Sequence, residues 1–219
     1  MPIYCEAANI AYIAIPKVAC TSTKVLFYEI NNHTKWPSHR IPFSQVHGYP
    51  GYATPDLTLT HFDDMAGFTK VAIVRDPVSR VISAYYDKAR SVVLESKGLK
   101  PALTKAGLTT DPSPTLFAEN IQLYSDICPV IESHIRPYEK FIGSDLGKFD
   151  QIFKLEEIVK FIGFISDRLG RKVEMPTANV IGSKKVEKRT IFSDYDKQLI
   201  ASFCQRDYDL LSTQYPNKH

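Results

Sequence analysis

A lysine and a group of hydroxyl-bearing residues follow an apolar run near the start of the chain. The run covers residues 10–15 and ends at Pro16 and Lys17, and residues 21–23, Thr-Ser-Thr, come shortly afterwards. This order is typical of a buried strand, a tight turn and the N-terminus of a helix. Such a junction directs backbone N–H groups and the positive end of a helix dipole at one point. It therefore predicts a site for a phosphate or sulfate group.

A second junction of this kind lies at residues 71–88, V-A-I-V-R-D-P-V-S-R-V-I-S-A-Y-Y-D-K. An apolar strand ends on Arg75, and Pro77 falls in the first turn of the next helix, where proline is tolerated. Arg75 and Asp76 suit a structural ion pair with a helix cap, and Arg75 and Ser83 suit an anion site. Two anion-binding strand ends favour a ligand with two separated anionic groups.

Apolar segments and helical patterns provide the elements that position these junctions. Strands are predicted over residues 9–15, 69–75 and 149–155, and helices over residues 21–31, 78–94, 114–127, 156–169 and 193–211. Ser113 and Ser193 are the predicted N-caps of the helices that follow them. Strands separated by helices indicate a largely parallel sheet covered on both faces. A chain of 219 residues is long enough for one α/β domain and too short to need two. Residues 1–219 are therefore expected to form a single domain.

Composition narrows the class of protein. Hydrophobic residues make up 44% and charged residues 23% of the chain, and the net charge of +3 favours anionic ligands rather than nucleic acid. The four cysteines are scattered without metal-ligand spacing, which favours free thiols in a reducing compartment. No signal sequence or membrane-length apolar stretch is present, so a soluble, cytoplasmic chain is expected. An anchor removed from before residue 1 would not be visible, and the oligomeric state is left open.

The first junction is not a Walker loop, because the glycines of that motif are missing and the lysine follows the strand at once. Its sequence, P-K-V-A-C-T-S-T-K, resembles the 5′-phosphosulfate loop of carbohydrate sulfotransferases of the chondroitin, dermatan, HNK-1 and heparan 2-O types. Residues 71–88 resemble their 3′-phosphate motif. H-I-R-P-Y-E-K-F-I-G from residue 134 and N-V-I-G-S-K-K from residue 179 resemble later segments of the same family, in the same order.

The resemblance implies a fold and a set of ligand contacts. The fold is the three-layer α/β, P-loop-like sulfotransferase fold, with a central parallel sheet flanked by helices. The donor is 3′-phosphoadenosine 5′-phosphosulfate, abbreviated PAPS, and no metal is expected. Lys17 would contact its phosphosulfate and Arg75 and Ser83 its 3′-phosphate. The cradle would be completed by Ala19, Cys20, Thr21, Ser22 and Thr23, and the late basic loop would contribute Ser183 and Lys184.

The implied reaction is in-line transfer of a sulfuryl group to a hydroxyl, most readily one on a carbohydrate. Its loose transition state depends on positioning and charge stabilisation, and a histidine is the usual base for the acceptor's proton. His47, in V-H-G-Y, is the first candidate because it resembles the histidine–glycine pair of heparan 2-O type enzymes. His61 and His134 are rivals, and His33 and His39 are further alternatives. Glycolipid, small alcohol and peptide tyrosine remain open as acceptors.

Two other functions remain open from the sequence. One is a nucleotide kinase or NTPase built on a similar sheet, against which the missing Walker glycines argue. The other is an inactive nucleotide-binding adaptor, which would bind adenosine 3′,5′-bisphosphate without turnover. Within residues 32–55, the aromatic residues Trp36, Phe43, Tyr49 and Tyr52 suit either sugar stacking or a local core. Cys20, at a helix N-terminus, is also open as a nucleophile.

Overall fold

The computed structural model describes residues 2–54, 62–89, 98–176 and 192–216. The chain divides into two compact units, each described by itself below. The first unit comprises Met1–Arg75 and Tyr138–Lys184, and the second comprises Asp76–Pro137 and Lys185–His219. The single-domain organisation expected from the length stays a prediction.

The described residues form four strands and a series of short helices. The strands are β1 Ile3–Cys5, β2 Ile10–Ile13, β3 Thr69–Val74 and β4 Gln151–Lys154. The helices are α1 Cys20–Asn31, α2 Pro77–Ala84, α3 Leu99–Lys105, α4 Pro114–Glu119, α5 Ile121–Ile127, α6 Pro129–Ile135, α7 Glu139–Ile142, α8 Ile158–Leu169, α9 Asp194–Phe203 and α10 Gln205–Leu210. Shorter turns are the 3-10 segments Glu6–Ala8, Phe43–Gly48, Phe62–Met65, Leu146–Lys148 and Leu155–Glu157 and the π-helical segment Tyr85–Ala89.

The sheet belongs to the first unit and has the order β1-β2-β3-β4. β2, β3 and β4 run parallel, and Ile13 of β2 pairs with Ala72 of β3. β1 pairs antiparallel with β2; it is an edge strand of three residues that the sequence pattern did not predict. Because parallel strands end at the same edge of a sheet, the segments that follow β2 and β3 leave from one side.

Two helices cover one face of this sheet. The ring of Tyr12 in β2 lies 5.8 Å from that of Phe27 in α1 and 6.4 Å from that of Phe161 in α8. All four residues of β2 are buried, as expected for a strand inside an α/β sheet. α8 ends at Gly170, whose φ of 61° gives the left-handed helix end that glycine favours. The α/β fold class predicted from the sequence is confirmed.

The second unit is helical. The ring of Tyr85 lies 5.1 Å from that of Phe117 and 5.0 Å from that of Phe192, and its hydroxyl donates to the carbonyl of Pro112 at 2.8 Å. α9 begins with the predicted cap, because Ser193 and Asp196 form a reciprocal capping box. These contacts form the aromatic core of the unit.

Several predicted helices are interrupted in the structure. The helix expected over residues 78–94 ends as α2 at Ala84 and continues as the π-helical segment, and residues 90–97 lie outside the described part. The helix expected over residues 114–127 divides at Asn120 into α4 and α5, and the last helix divides at Cys204 into α9 and α10. Hydrophobic periodicity passes unbroken through such irregular turns, so the breaks could not be read from it.

The four cysteines are free thiols and all are buried. Cys5 and Cys20 lie in the first unit, and Cys128 and Cys204 in the second. Burial raises the pKa of Cys5 to about 11 and raises that of Cys204 further. Within the described ranges, no helix combines the length and apolar character needed to cross a membrane.

Candidate functional site

The turn between β2 and α1 has an unusual backbone. Lys17 and Ala19 have φ values of 69° and 59°, the left-handed region that costs a residue with a Cβ about 1–2 kcal/mol. α1 begins at Cys20, and Ala19 at its N-cap provides no side-chain hydrogen bond. Turn backbone with left-handed residues is typical of anion-binding concavities, and strain of this kind is concentrated at functional sites. The phosphate loop predicted from the sequence therefore lies where the backbone suits an anion.

Arg75 connects the turn to the end of β3. Its Nη1 donates to the carbonyl of Lys17 at 3.4 Å. Its backbone is held by the hydroxyl of Tyr138, which accepts from the amide of Arg75 at 2.9 Å and donates to its carbonyl at 2.8 Å. Lys17 and Arg75, predicted for opposite ends of one doubly charged ligand, are therefore brought together within the first unit.

His47 lies against the start of α1. Its Nε2 is 2.9 Å from Oγ1 of Thr21, and its Nδ1 is 2.9 Å from Nζ of Lys24. Nζ of Lys24 also donates to Oγ1 of Thr54 at 2.9 Å. We call these four residues, Thr21, Lys24, His47 and Thr54, the histidine cluster. It joins the first candidate base to a residue of the predicted cradle.

Lys24 is the buried charge of this cluster. It has no exposed surface, and burial lowers its pKa from 10.5 to about 8, opposed in part by the nearby thiol of Cys20. A lysine in this state exchanges between its charged and neutral forms near neutral pH. Because its partner is an imidazole, the exchange changes which atom of the pair donates the hydrogen bond.

The other candidate histidines lie elsewhere. His134 is in α6 of the second unit, and its Nδ1 donates to the carbonyl of Val130 at 2.7 Å. His33 and His39 are exposed in the segment after α1. His61 lies outside the described residues. Among the candidates described in the first unit, His47 is the one found beside the predicted cradle.

The remaining predicted ligand residues differ in burial. Cys20, Thr21 and Thr23 are buried, and Lys17, Ala19 and Ser22 are half-buried. Ser83 is half-buried on α2 of the second unit, so its pairing with Arg75 stays a prediction. Ser183 and Lys184 lie outside the described residues.

The start of α2 is held by contacts within the second unit. Oδ1 of Asp76 accepts from the amide of Ser79 at 2.9 Å, and Oδ2 accepts from the hydroxyl of Tyr208 at 3.0 Å. Arg80 is fully buried, donates to the carbonyl of Arg136 and faces Asp207 at 3.4 Å. Asp76 therefore caps a helix, as one of the two sequence interpretations predicted.

The aromatic residues of the segment after α1 pack against one another. Tyr28 of α1 lies 4.9 Å from the ring of Trp36, 5.1 Å from that of Tyr49 and 6.1 Å from that of Tyr52. Trp36 and Tyr52 are buried, whereas Tyr49 is 39% exposed. The structure favours a local core in which Tyr28 is half-buried and Tyr49 is the most exposed ring.

Sequence reasoning missed Lys24, Thr54 and Tyr138. A lysine within an amphipathic helix is usually a solvated residue, and its contact with His47 joins residues 23 positions apart. The one available signal was that Lys24 follows Thr21 by three residues, which places both on the same side of a helix. Tyr138 stands in a segment whose resemblance gave it no role.

One of three comparisons with known proteins found a match. A sequence model described as the sulfotransferase family matches residues 2–213. No curated protein and no solved structure matches the chain significantly. Across the described ranges, no group of three or more His, Cys, Asp or Glu side chains lies close enough together to hold a metal ion.

Proposed function

The chain belongs to the sulfotransferase family, and on that premise we propose that it moves a sulfuryl group from PAPS to a hydroxyl of a carbohydrate. Membership of the family makes the protein a sulfotransferase. The identity of the donor, the class of acceptor and the catalytic base are the parts that we propose. The observation that supports the base is the contact between His47 and Thr21 of the predicted phosphosulfate loop.

The first unit provides groups that suit the donor. The turn before α1 has the left-handed residues Lys17 and Ala19 and leads into a helix N-terminus without a side-chain cap, a combination that favours anions. Arg75 lies within hydrogen-bond distance of this turn. Lys17, the amides at the start of α1 and Arg75 would therefore hold PAPS, with Ser83, Ser183 and Lys184 as further proposed contacts.

The proposed chemistry assigns one task to each of three residues. When bound, PAPS supplies the activated sulfuryl group. The ammonium of Lys17 neutralises negative charge that develops on the leaving phosphate oxygen. Arg75 holds the 3′-phosphate and thereby orients the reacting groups. His47 accepts the proton of the acceptor hydroxyl.

The carbohydrate acceptor rests on the family resemblance of the two phosphate motifs. Residues 32–55 follow α1 and contain both His47 and the exposed edge of Tyr49. An exposed aromatic ring two residues along the chain from a candidate base suits the apolar face of a sugar. This segment is therefore the proposed place for acceptor recognition.

A thermal-shift comparison of adenosine 3′,5′-bisphosphate with ADP, ATP and AMP tests the donor site. A ligand at 100 times its Kd stabilises the native state by about 2.7 kcal/mol, which is roughly 5–10 °C for a chain of this size. We expect that shift from the bisphosphate alone. Lys17→Ala and Arg75→Ala should remove it, whereas Lys35→Ala and Arg171→Ala, at exposed positions of the same unit, should retain it.

Turnover is tested by transfer of radioactive sulfate from PAPS to a panel of glycans, glycolipids and phenols. Transfer to a glycan is the expected result. An equal thermal response to ATP would contradict the donor assignment. Tight bisphosphate binding without transfer to any acceptor would favour the adaptor alternative.

A further inference from the structure

The contact between Lys24 and His47 is a buried pair for which the proposed reaction gives no role to the lysine. Lys24 is one turn into α1, fully buried, with Nζ placed between Nδ1 of His47 and Oγ1 of Thr54. The second ring nitrogen, Nε2, faces Oγ1 of Thr21. Both ring nitrogens of the candidate base are therefore within hydrogen-bond distance of a neighbour from α1.

This geometry accommodates two arrangements of hydrogens. When Lys24 is charged, Nζ donates to Nδ1, the ring hydrogen is on Nε2, and Nε2 donates to Thr21. When Lys24 is neutral, its lone pair accepts the ring hydrogen from Nδ1, and Nε2 accepts from the Thr21 hydroxyl. Lysine nitrogen, imidazole and threonine hydroxyl permit both arrangements without any movement of heavy atoms.

We propose that Lys24 is a positioning residue that selects the tautomer of His47 and thereby decides whether Nε2 can accept a proton. Charged Lys24 places a hydrogen on Nε2 and disables the base. Neutral Lys24 withdraws that hydrogen to Nδ1 and exposes the Nε2 lone pair. The inference rests on the proposed function, because it deepens the role of His47 in sulfuryl transfer.

In the proposed step one bond forms, one bond breaks and one proton moves. An acceptor hydroxyl takes the place at Nε2 that the Thr21 hydroxyl holds in the structure. The bond from sulfur to the acceptor oxygen forms, and the bond from sulfur to the leaving phosphate oxygen breaks. The acceptor's proton moves to Nε2, so His47 becomes an imidazolium whose Nδ1–H donates to neutral Lys24. That proton returns to solvent after the products leave.

The surroundings of Lys24 make the neutral form accessible. Burial lowers the pKa of Lys24 to about 8, and Cys20 on the same helix opposes that shift. The groups that face Nζ from the segment after α1 are the imidazole of His47 and the hydroxyl of Thr54. The switch between tautomers is therefore expected near pH 8.

Nitrogen-15 NMR of the imidazole rings tests the inference directly, since the ring shifts report which nitrogen carries the hydrogen. The His47 signal is assigned by its loss in His47→Gln. We expect the hydrogen to move from Nε2 to Nδ1 between pH 7 and pH 9 in the unmodified protein. Lys24→Arg, whose charge is permanent, should keep it on Nε2 throughout, and Lys24→Met should abolish the movement. Lys35→Met is the matched exposed control and should leave the movement intact.

The rate supplies a second readout. Turnover should rise with pH to a midpoint near 8, with a limiting slope of about tenfold per pH unit on the acidic side. Lys24→Arg should lower kcat about 100-fold or more at every pH with little change in the KM for PAPS. A purely structural lysine would lower the folded fraction without altering the pH profile or the tautomer.

The two readouts separate the possible failures. If the tautomer of His47 is the same at pH 7 and pH 9, or still moves in Lys24→Met, the role of Lys24 is wrong whatever the activity. If the tautomer moves as expected but no sulfuryl transfer and no bisphosphate binding occur, the proposed function fails and the pairing of Lys24 with His47 stands.

Discussion

The starts of α1 and α2 follow neighbouring parallel strands but are built in opposite ways. Before α1, the non-glycine residues Lys17 and Ala19 have left-handed backbone, and no side chain caps the helix. One turn into the helix, the buried Lys24 contacts His47. At α2, Asp76 caps the helix, Pro77 occupies the first turn, and Tyr208 binds the cap. The backbone before α1 is strained, whereas an amide at the start of α2 is hydrogen-bonded by the capping side chain of Asp76.

This difference separates two uses of the same strand–helix junction. A helix N-terminus without a side-chain cap offers its amides to a ligand, whereas a capped one has already used an amide for stability. The comparison implies that the amides at the start of α1 are more available to an anion than those at the start of α2. Substitutions near the start of α1 should therefore lower the turnover rate. Substitutions near the start of α2 should lower the free energy of unfolding.

The largest effect is expected from His47→Ala. Loss of the base should lower kcat by about 10²–10⁴-fold, while the thermal shift by adenosine 3′,5′-bisphosphate is retained because the donor contacts remain. Rates with PAPS and a glycan acceptor measure the loss, and Arg171→Ala, at an exposed position of the same unit outside residues 32–55, is the control. Normal turnover in His47→Ala would show that another residue is the base.

Lys24→Met should raise stability at neutral pH. The pKa of Lys24 is about 8 in the folded protein and 10.5 as the ordinary value, so folding penalises the charged form. The penalty, about 3 kcal/mol at most, is complete below pH 8 and disappears as pH rises to 10.5. Because the variant also loses two hydrogen bonds, we expect a gain of about 1–3 kcal/mol at pH 7.

Urea unfolding at pH 7, 9 and 10.5 measures that gain and its decline. Lys35→Met serves as control, because its side chain is 86% exposed and should show no comparable trend. A Lys24→Met protein less stable than the unmodified one at pH 7 would show that the lysine serves the fold, and the contrast between the two starts would be lost.

Asp76→Ala should lower stability at the second start. The change removes a helix cap and leaves the buried hydroxyl of Tyr208 without its acceptor, at a cost of about 2–4 kcal/mol. Tm should fall by roughly 5–15 °C, as measured by calorimetry. Asp76→Asn, which keeps a capping oxygen, should lose much less. An undiminished Tm in Asp76→Ala would mean that the cap contributes nothing.

The smallest effect concerns the strained turn. Ala19→Gly relieves a left-handed alanine but loosens the unfolded chain, so the net gain should be under about 1 kcal/mol. Pro77→Ala at the second start should change stability by a similar amount in the opposite direction. Denaturant midpoints measure both, and a destabilised Ala19→Gly would argue against strain in this turn.

The sequence predicted the elements with strong local signals. β2, β3, β4, α1 and α8 follow from apolar runs, and the caps at Ser113 and Ser193 follow from residue type. β1 was missed because three residues give too little alternation to detect. The π-helical segment after α2 was missed because its side chains keep the helical periodicity.

The proposed anion-binding residues were predictable where they follow a strand, and His47 was predicted from a family resemblance. Lys17 and Arg75 stand next to strand ends, so parallel pairing of β2 and β3 explains why they meet. The contacts of Lys24 depend on the path of residues 32–54, which brings His47 back to α1. Local propensity does not determine that path, and a buried lysine has the same sequence pattern as an exposed one.

Each unit contains a buried cysteine whose rate of chemical labelling reports how often that unit opens. Thiolate is the species that alkylating reagents attack, and burial raises the pKa of Cys5 in the first unit and of Cys204 in the second. Labelling must therefore wait until the surrounding structure opens. Mass-resolved labelling of the two thiols would time the opening of each unit separately, without introducing any foreign probe.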